Sequence, residues 1–110
     1  MPQIRIRGIS IDQVKQISQP LVEELAEICS CGTDNFTLEI PQSTYIFNGN
    51  EIAMYPFIEV KWFERGQEIR DQFAQAITKQ VMSLGLEEIE VAFLTYEEDA
   101  YYINGESCAE

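Results

Sequence analysis

Met1-Pro2-Gln3-Ile4-Arg5-Ile6-Arg7 opens the chain, and its pattern returns as Tyr55-Pro56-Phe57-Ile58-Glu59-Val60-Lys61. In each copy a proline precedes residues that alternate apolar and polar with period two, the mark of a strand with one buried face. Ile4 and Ile6 correspond to Ile58 and Val60 at a spacing of 54. The correspondence continues with Ser30-Cys31-Gly32 and Ser83-Leu84-Gly85, then Phe36-Thr37-Leu38 and Ile89-Glu90-Val91, both at 53. It closes with Ile46-Phe47-Asn48-Gly49-Asn50 and Tyr102-Ile103-Asn104-Gly105-Glu106 at 56, a drift that one three-residue insertion in the second half explains. Two copies are too few for a solenoid, so the chain reads as one domain, 1–110, containing repeats 1–53 and 54–106 and a tail, 107–110.

Each half reads as strand, helix, strand. After residues 3–7, Ser10-Ile11-Asp12-Gln13 has the form of a capping box. Val14, Ile17, Leu21, Leu25 and Ile28 then share one helical face, and Gly32 supplies a stop. Pro20 lies off that face and should kink or divide the helix. In the second half Ile69, Phe73, Ile77 and Leu84 form the matching stripe, bracketed by Gly66 and Gly85. Phe36–Ile40 and Ile89–Leu94 are the closing strands, and short pieces at Tyr45–Phe47 and Tyr101–Ile103 each enter an Asn-Gly turn.

Strand-helix-strand units within one sheet normally make right-handed parallel crossovers. Two side by side predict an α+β fold, a four-stranded sheet with two helices on one face plus short extra strands. The other face would carry Arg5, Arg7, Glu39, Glu59, Lys61 and Glu90. Such charges pair across strands on a solvated face or in an assembly of subunits.

Composition excludes much. Seven Lys and Arg against nineteen Asp and Glu give a net charge of −12, which repels nucleic acid and anionic membrane surfaces. The absence of histidine removes Ser-His-Asp and Cys-His catalysis and the usual zinc sites. No cofactor or metal is implied. No apolar run is long enough to span a membrane, and no secretory signal is evident, so a cytoplasmic protein with reduced Cys29, Cys31 and Cys108 is expected.

A Met-Pro start before a first strand, duplicated strand-helix-strand units and the paired Asn-Gly ends together resemble the tautomerase superfamily. That group contains 4-oxalocrotonate tautomerase, 5-carboxymethyl-2-hydroxymuconate isomerase and macrophage migration inhibitory factor. The resemblance covers nearly the whole chain, although similarity outside the repeat skeleton is low and places it apart from the well-studied members. It implies a homotrimer with sites near Pro2, and a small carboxylate or carbonyl ligand. In such proteins the terminal proline, freed by removal of Met1, moves a proton in keto-enol or double-bond isomerisation. That work needs a base with a pKa near the working pH, which apolar surroundings or nearby cations provide for a proline amine. Pro56, locked in a peptide bond, is structural.

By the same resemblance, Phe63-Glu64-Arg65-Gly66 is similar to the loop that presents a substrate-binding arginine, with glycine and arginine in reversed order. Pro2 and Arg65 are therefore the candidate catalytic pair. Arg5 and Arg7 are candidate substrate cations, otherwise paired with Glu39, Glu59 or Glu90, and Trp62, Phe63, Tyr101 and Tyr102 are candidate apolar walls. Two departures thin the cationic pocket: Cys31 stands where one branch has a lysine, and Thr37 where another has an arginine. The competing reading is a non-catalytic trimeric binding protein of the same fold.

Overall fold

A computed structural model describes residues 2–109. Strand β1 (Gln3–Arg7) leads to helix α1 (Ile11–Cys29), then β2 (Thr37–Glu39) and the hairpin β3 (Tyr45–Phe47) with β4 (Asn50–Ile52). The second half repeats this as β5 (Phe57–Trp62), α2 (Gln67–Met82), β6 (Glu90–Thr95) and the hairpin β7 (Tyr102–Ile103) with β8 (Glu106–Ser107). The main sheet has the order β2-β1-β5-β6. Each half contributes a parallel pair, and the halves join antiparallel through β1 and β5, with Gln3 opposite Lys61 and Arg7 opposite Phe57.

The core lies between the sheet and the two helices. Ile4, Ile6, Ile58, Val60 and Trp62 face Val14, Ile17, Leu21, Leu25, Phe73, Ile77 and Val81, all buried. Burying side chains of this size contributes about 1.5–3 kcal/mol each, which makes this layer the main stabilising element. Ile28, Ile69 and Leu84 pack on its edge.

Ser10 caps α1 as expected: its hydroxyl accepts from the Gln13 amide, and the Gln13 side-chain oxygen accepts from the Ser10 amide, both at 3.1 Å. Two other expectations are corrected. Helix α1 is not divided at Pro20 but continues as one element to Cys29, and the exposed position of Pro20 lets water serve the carbonyl that loses its amide partner. It stops not at Gly32 but at Ser30, which adopts the left-handed conformation (φ 54°). The Ser30 amide donates to Glu27 and the Cys31 amide to Ala26, closing the end through the backbone.

The Asn-Gly turns behave as their chemistry requires. Asn48 and Gly49, like Asn104 and Gly105, have positive φ at both central positions, which matches the twist of a two-residue hairpin. The tail begins later than 107. Ser107 pairs with Tyr102 in β8, and the Cys108 amide donates to the Tyr101 carbonyl at 2.8 Å. The thiol expectation is also corrected, because Cys29 and Cys31 form a disulfide while Cys108 is free. The left-handed turn at Ser30 brings their Cα atoms to 5.5 Å, within disulfide range.

Candidate functional site at the proline end of the sheet

Antiparallel joining of the halves puts the start of β1 beside the ends of β5 and β6. Gln3 pairs with Lys61, so one step further sets Pro2 opposite Trp62. The Pro2 side chain is under 2% exposed, and its carbonyl accepts from the Thr37 amide at 3.2 Å, which fixes it to β2. Trp62 ends the run Ile58, Val60, Trp62 on the helix-facing side and is fully buried. Its ring centroid is 5.0 Å from Phe73 and 4.9 Å from Phe93, so Trp62 is the end wall of the core rather than an open pocket lining. Its indole Nε1 is buried without a hydrogen-bond partner among the described residues.

The turn after β5 holds the best-placed cation. Glu64 organises it by accepting from the Arg65 amide at 3.1 Å and the Gly66 amide at 2.9 Å, and by pairing with Arg70. Those amides, Gly66 first, and the Arg70 charge hold the Glu64 carboxyl below its usual range. Gly66, at φ 91°, then starts α2. With Glu64 occupied, the Arg65 guanidinium folds back over Trp62, 5.3 Å from the ring centroid, and donates to the Phe63 carbonyl at 3.0 Å. Among the described residues Arg65 makes no ion pair with a carboxylate. Partial burial lowers its pKa, yet a guanidinium stays charged at any working pH. Arg65 is thus a cation with unused donors, resting on the ring of Trp62.

Aromatic side chains border this corner. Phe63 meets Tyr101 edge-on at 5.0 Å, Tyr96 lies 5.3 Å from Tyr101, and the Tyr96 hydroxyl donates to the Gln3 side chain at 3.1 Å. Tyr102, on the β7–β8 hairpin, is 63% exposed and makes none of these ring contacts among the described residues. Sequence reasoning missed Tyr96. Its signal was available only through register: Trp62 pairs with Thr95, and the Tyr96 amide donates to the Trp62 carbonyl at 2.8 Å.

Arg5 and Arg7 lie on the open sheet face and are both paired, Arg5 with Glu39 at 2.7 Å and Arg7 with Glu59 at 3.4 Å. The Glu39 bond and charge raise the Arg5 pKa further. A cavity of about 240 Å³ on this face is lined by Gln3, Ile4, Arg5, Thr37, Glu39 and Lys61. Lys61, opposite Gln3 in the register, makes no ion pair among the described residues. Met1, whose removal the catalytic reading requires, lies outside the described residues. Among the described residues no group of three or more metal-ligating side chains is assembled, and no helix is long and apolar enough to cross a membrane.

No curated protein matches the sequence. Solved structures do match. A domain of unknown function (DUF1904) from Sebaldella termitidis is 35% identical with a TM-score of 0.87, over 96% of this chain and 97% of that one. A fused 4-OT, solved as an asymmetric trimer, superposes with a TM-score of 0.80 at 10% identity, over 97% of this chain and 96% of that one. Pt0534 inactivated by 2-oxo-3-pentynoate gives 0.76 at 16% identity, over 96% and 95%. The fold is that of the tautomerase superfamily. The model of one family spans residues 1–107, and the chain belongs to that family, described as Domain of unknown function (DUF1904).

Proposed function

We propose that the protein is a proline-dependent tautomerase or isomerase of a small carbonyl acid, with Pro2 as the acid-base and Arg65 as the anion binder. The observation that carries this reading is the convergence of a buried Pro2, the adjoining Trp62 and an Arg65 without a carboxylate partner at one end of the sheet. Removal of Met1 turns the Pro2 nitrogen into a secondary amine. Apolar surroundings and the Arg65 charge both disfavour its protonated form, which lowers its pKa and leaves a base available. The neutral amine takes a proton from carbon next to the substrate carbonyl. Arg65 swings from its resting bond to hold the carboxylate and the charge gathering on the enolate oxygen. The ammonium then returns the proton to oxygen or to the far carbon.

The assembly we propose is a homotrimer. Ile46, Phe47, Ile52, Tyr102 and Ile103 expose apolar area on the two hairpins, which a neighbouring subunit would cover. The fused 4-OT of the same fold is a trimer. Because Pt0534 is inactivated by 2-oxo-3-pentynoate, that keto acid is a direct probe.

The test begins with the intact mass of the natively produced chain, which should lack Met1. Enol-keto conversion of phenylpyruvate should then be measurable and be lost in Pro2→Ala, and 2-oxo-3-pentynoate should add to the Pro2 peptide. A retained Met1, or activity unchanged in Pro2→Ala, overturns the catalytic reading and leaves the binding role.

A further inference from the structure

The Cys29–Cys31 pair is used by nothing described so far. It lies at the end of α1, which returns along the sheet, so the pair sits at the same end as Pro2 and shortly before Thr37. We propose that this pair is a reversible thiol–disulfide exchange site, converted between dithiol and disulfide by a low-molecular-weight thiol and its disulfide.

Four observations support it. The pair is bonded, and both cysteines are only partly buried, so a small thiol can reach them. The two sulfurs differ: Cys29 packs against the core, whereas Cys31 is not among the side chains packed there, which makes Cys31 the sulfur open to attack. The bond closes a loop of only three residues, for which the gain from restricting the unfolded chain is at its smallest, so stabilising the fold is a weak reason for it. Finally, the reduced form has a place to rest. The Cys29 sulfur lies 3.7 Å from the Ala26 carbonyl oxygen, an acceptor for its S–H once the bond opens.

A thiolate RS⁻ attacks Cys31 Sγ; an R–S–Sγ bond forms, the Sγ–Sγ bond breaks, and Cys29 leaves as a thiolate that takes a proton. A second RS⁻ attacks the R sulfur, forming RSSR and releasing the Cys31 thiolate, which is also protonated. Two external thiols are oxidised, and the protein gains two electrons and two protons. The carbonyl end of α1 disfavours a thiolate on the protein, so the solution thiol supplies the nucleophile.

The experiment equilibrates the full chain carrying Cys108→Ser, and the unsubstituted chain beside it, in buffers of varied glutathione and glutathione disulfide. Samples are acid-quenched, alkylated and weighed intact. The expected result is a reversible passage between no alkylated Cys29–Cys31 thiols and two. The dithiol-to-disulfide ratio should change about tenfold for each tenfold change in [GSH]²/[GSSG]. Two alkylated Cys29–Cys31 thiols at every ratio, none even in excess glutathione, or a Cys108→Ser chain dominated by the singly glutathionylated form would each overturn the proposal. The titration uses the native pair, so it stands whether or not Cys→Ser variants at those positions fold, and it is independent of Pro2 activity.

Discussion

Replacing Gly8 by alanine should be far more damaging than the same change at Gly49, although both glycines have nearly the same backbone conformation. Their φ values are +79° and +75°. Holding an L-residue in that left-handed region costs roughly 1–2 kcal/mol, and the cost is common to both. The surroundings differ. A Cβ at Gly49 meets nothing within 4 Å, whereas one at Gly8 would lie 2.3 Å from the Tyr55 carbonyl oxygen, 2.5 Å from its carbon and 2.8 Å from the Pro56 nitrogen. Those atoms are backbone and cannot rotate aside. Phe57, next in the chain, pairs with Arg7, and the Pro56 carbonyl accepts from the Glu90 amide at 3.1 Å, so retreat disturbs the joint between the halves. Overpacking of this kind adds about 1–3 kcal/mol, giving roughly 2–5 kcal/mol for Gly8→Ala against about 1–2 for Gly49→Ala. Urea denaturation at one fixed protein concentration measures both. Losses for the two variants that agree within about 0.5 kcal/mol would refute the claim that Gly8 is fixed by the Tyr55–Pro56 backbone.

Other substitutions test the site and the surface. Arg65→Ala should lower kcat/KM for phenylpyruvate by about 10–100-fold through loss of a charged hydrogen bond, while Lys79→Ala, whose partner is Glu24 on the helix layer, should change it little. Equal losses in chemical-rate assays would remove Arg65 from the anion-binding role. Because the folded Glu64 carboxyl has a depressed pKa, its stabilising effect is present above the unfolded value of about 4.3 and is lost as pH falls through the lower folded value. Glu64→Gln should therefore flatten the decline of the urea midpoint from about pH 6 to about pH 3; an unchanged slope would contradict the assigned contacts. Phe47→Asp combined with Ile103→Asp should shift the sedimentation mass toward the single chain, and an unaltered assembly would rule out the hairpins as its contacts.

How much of this was legible in the chain depends on how local the cause is. The repeat, the two amphipathic helices, the Ser10 cap and both Asn-Gly hairpins follow from side-chain periodicity and turn chemistry within a few residues, so they could be read directly. The end of α1 was misplaced because Ser30, not the more permissive Gly32, takes the left-handed turn, a choice made by the amides that bond back to Ala26 and Glu27. Pro20 persisted within α1 because its outward face lets water compensate, and that face is fixed by what the rest of the helix buries.

Sequence alone thus determined the duplicated α+β scaffold and marked Pro2, ahead of the first strand, as the candidate base. Only the tertiary structure decided what stands near it. Antiparallel pairing of β1 with β5 carries Trp62 to Pro2 across some sixty residues of chain. Competition for Glu64 is settled in favour of Arg70 and leaves Arg65 free. Pairing and competition are long-range events, decided by which groups meet after the layers pack, and no spacing along the chain encodes their outcome.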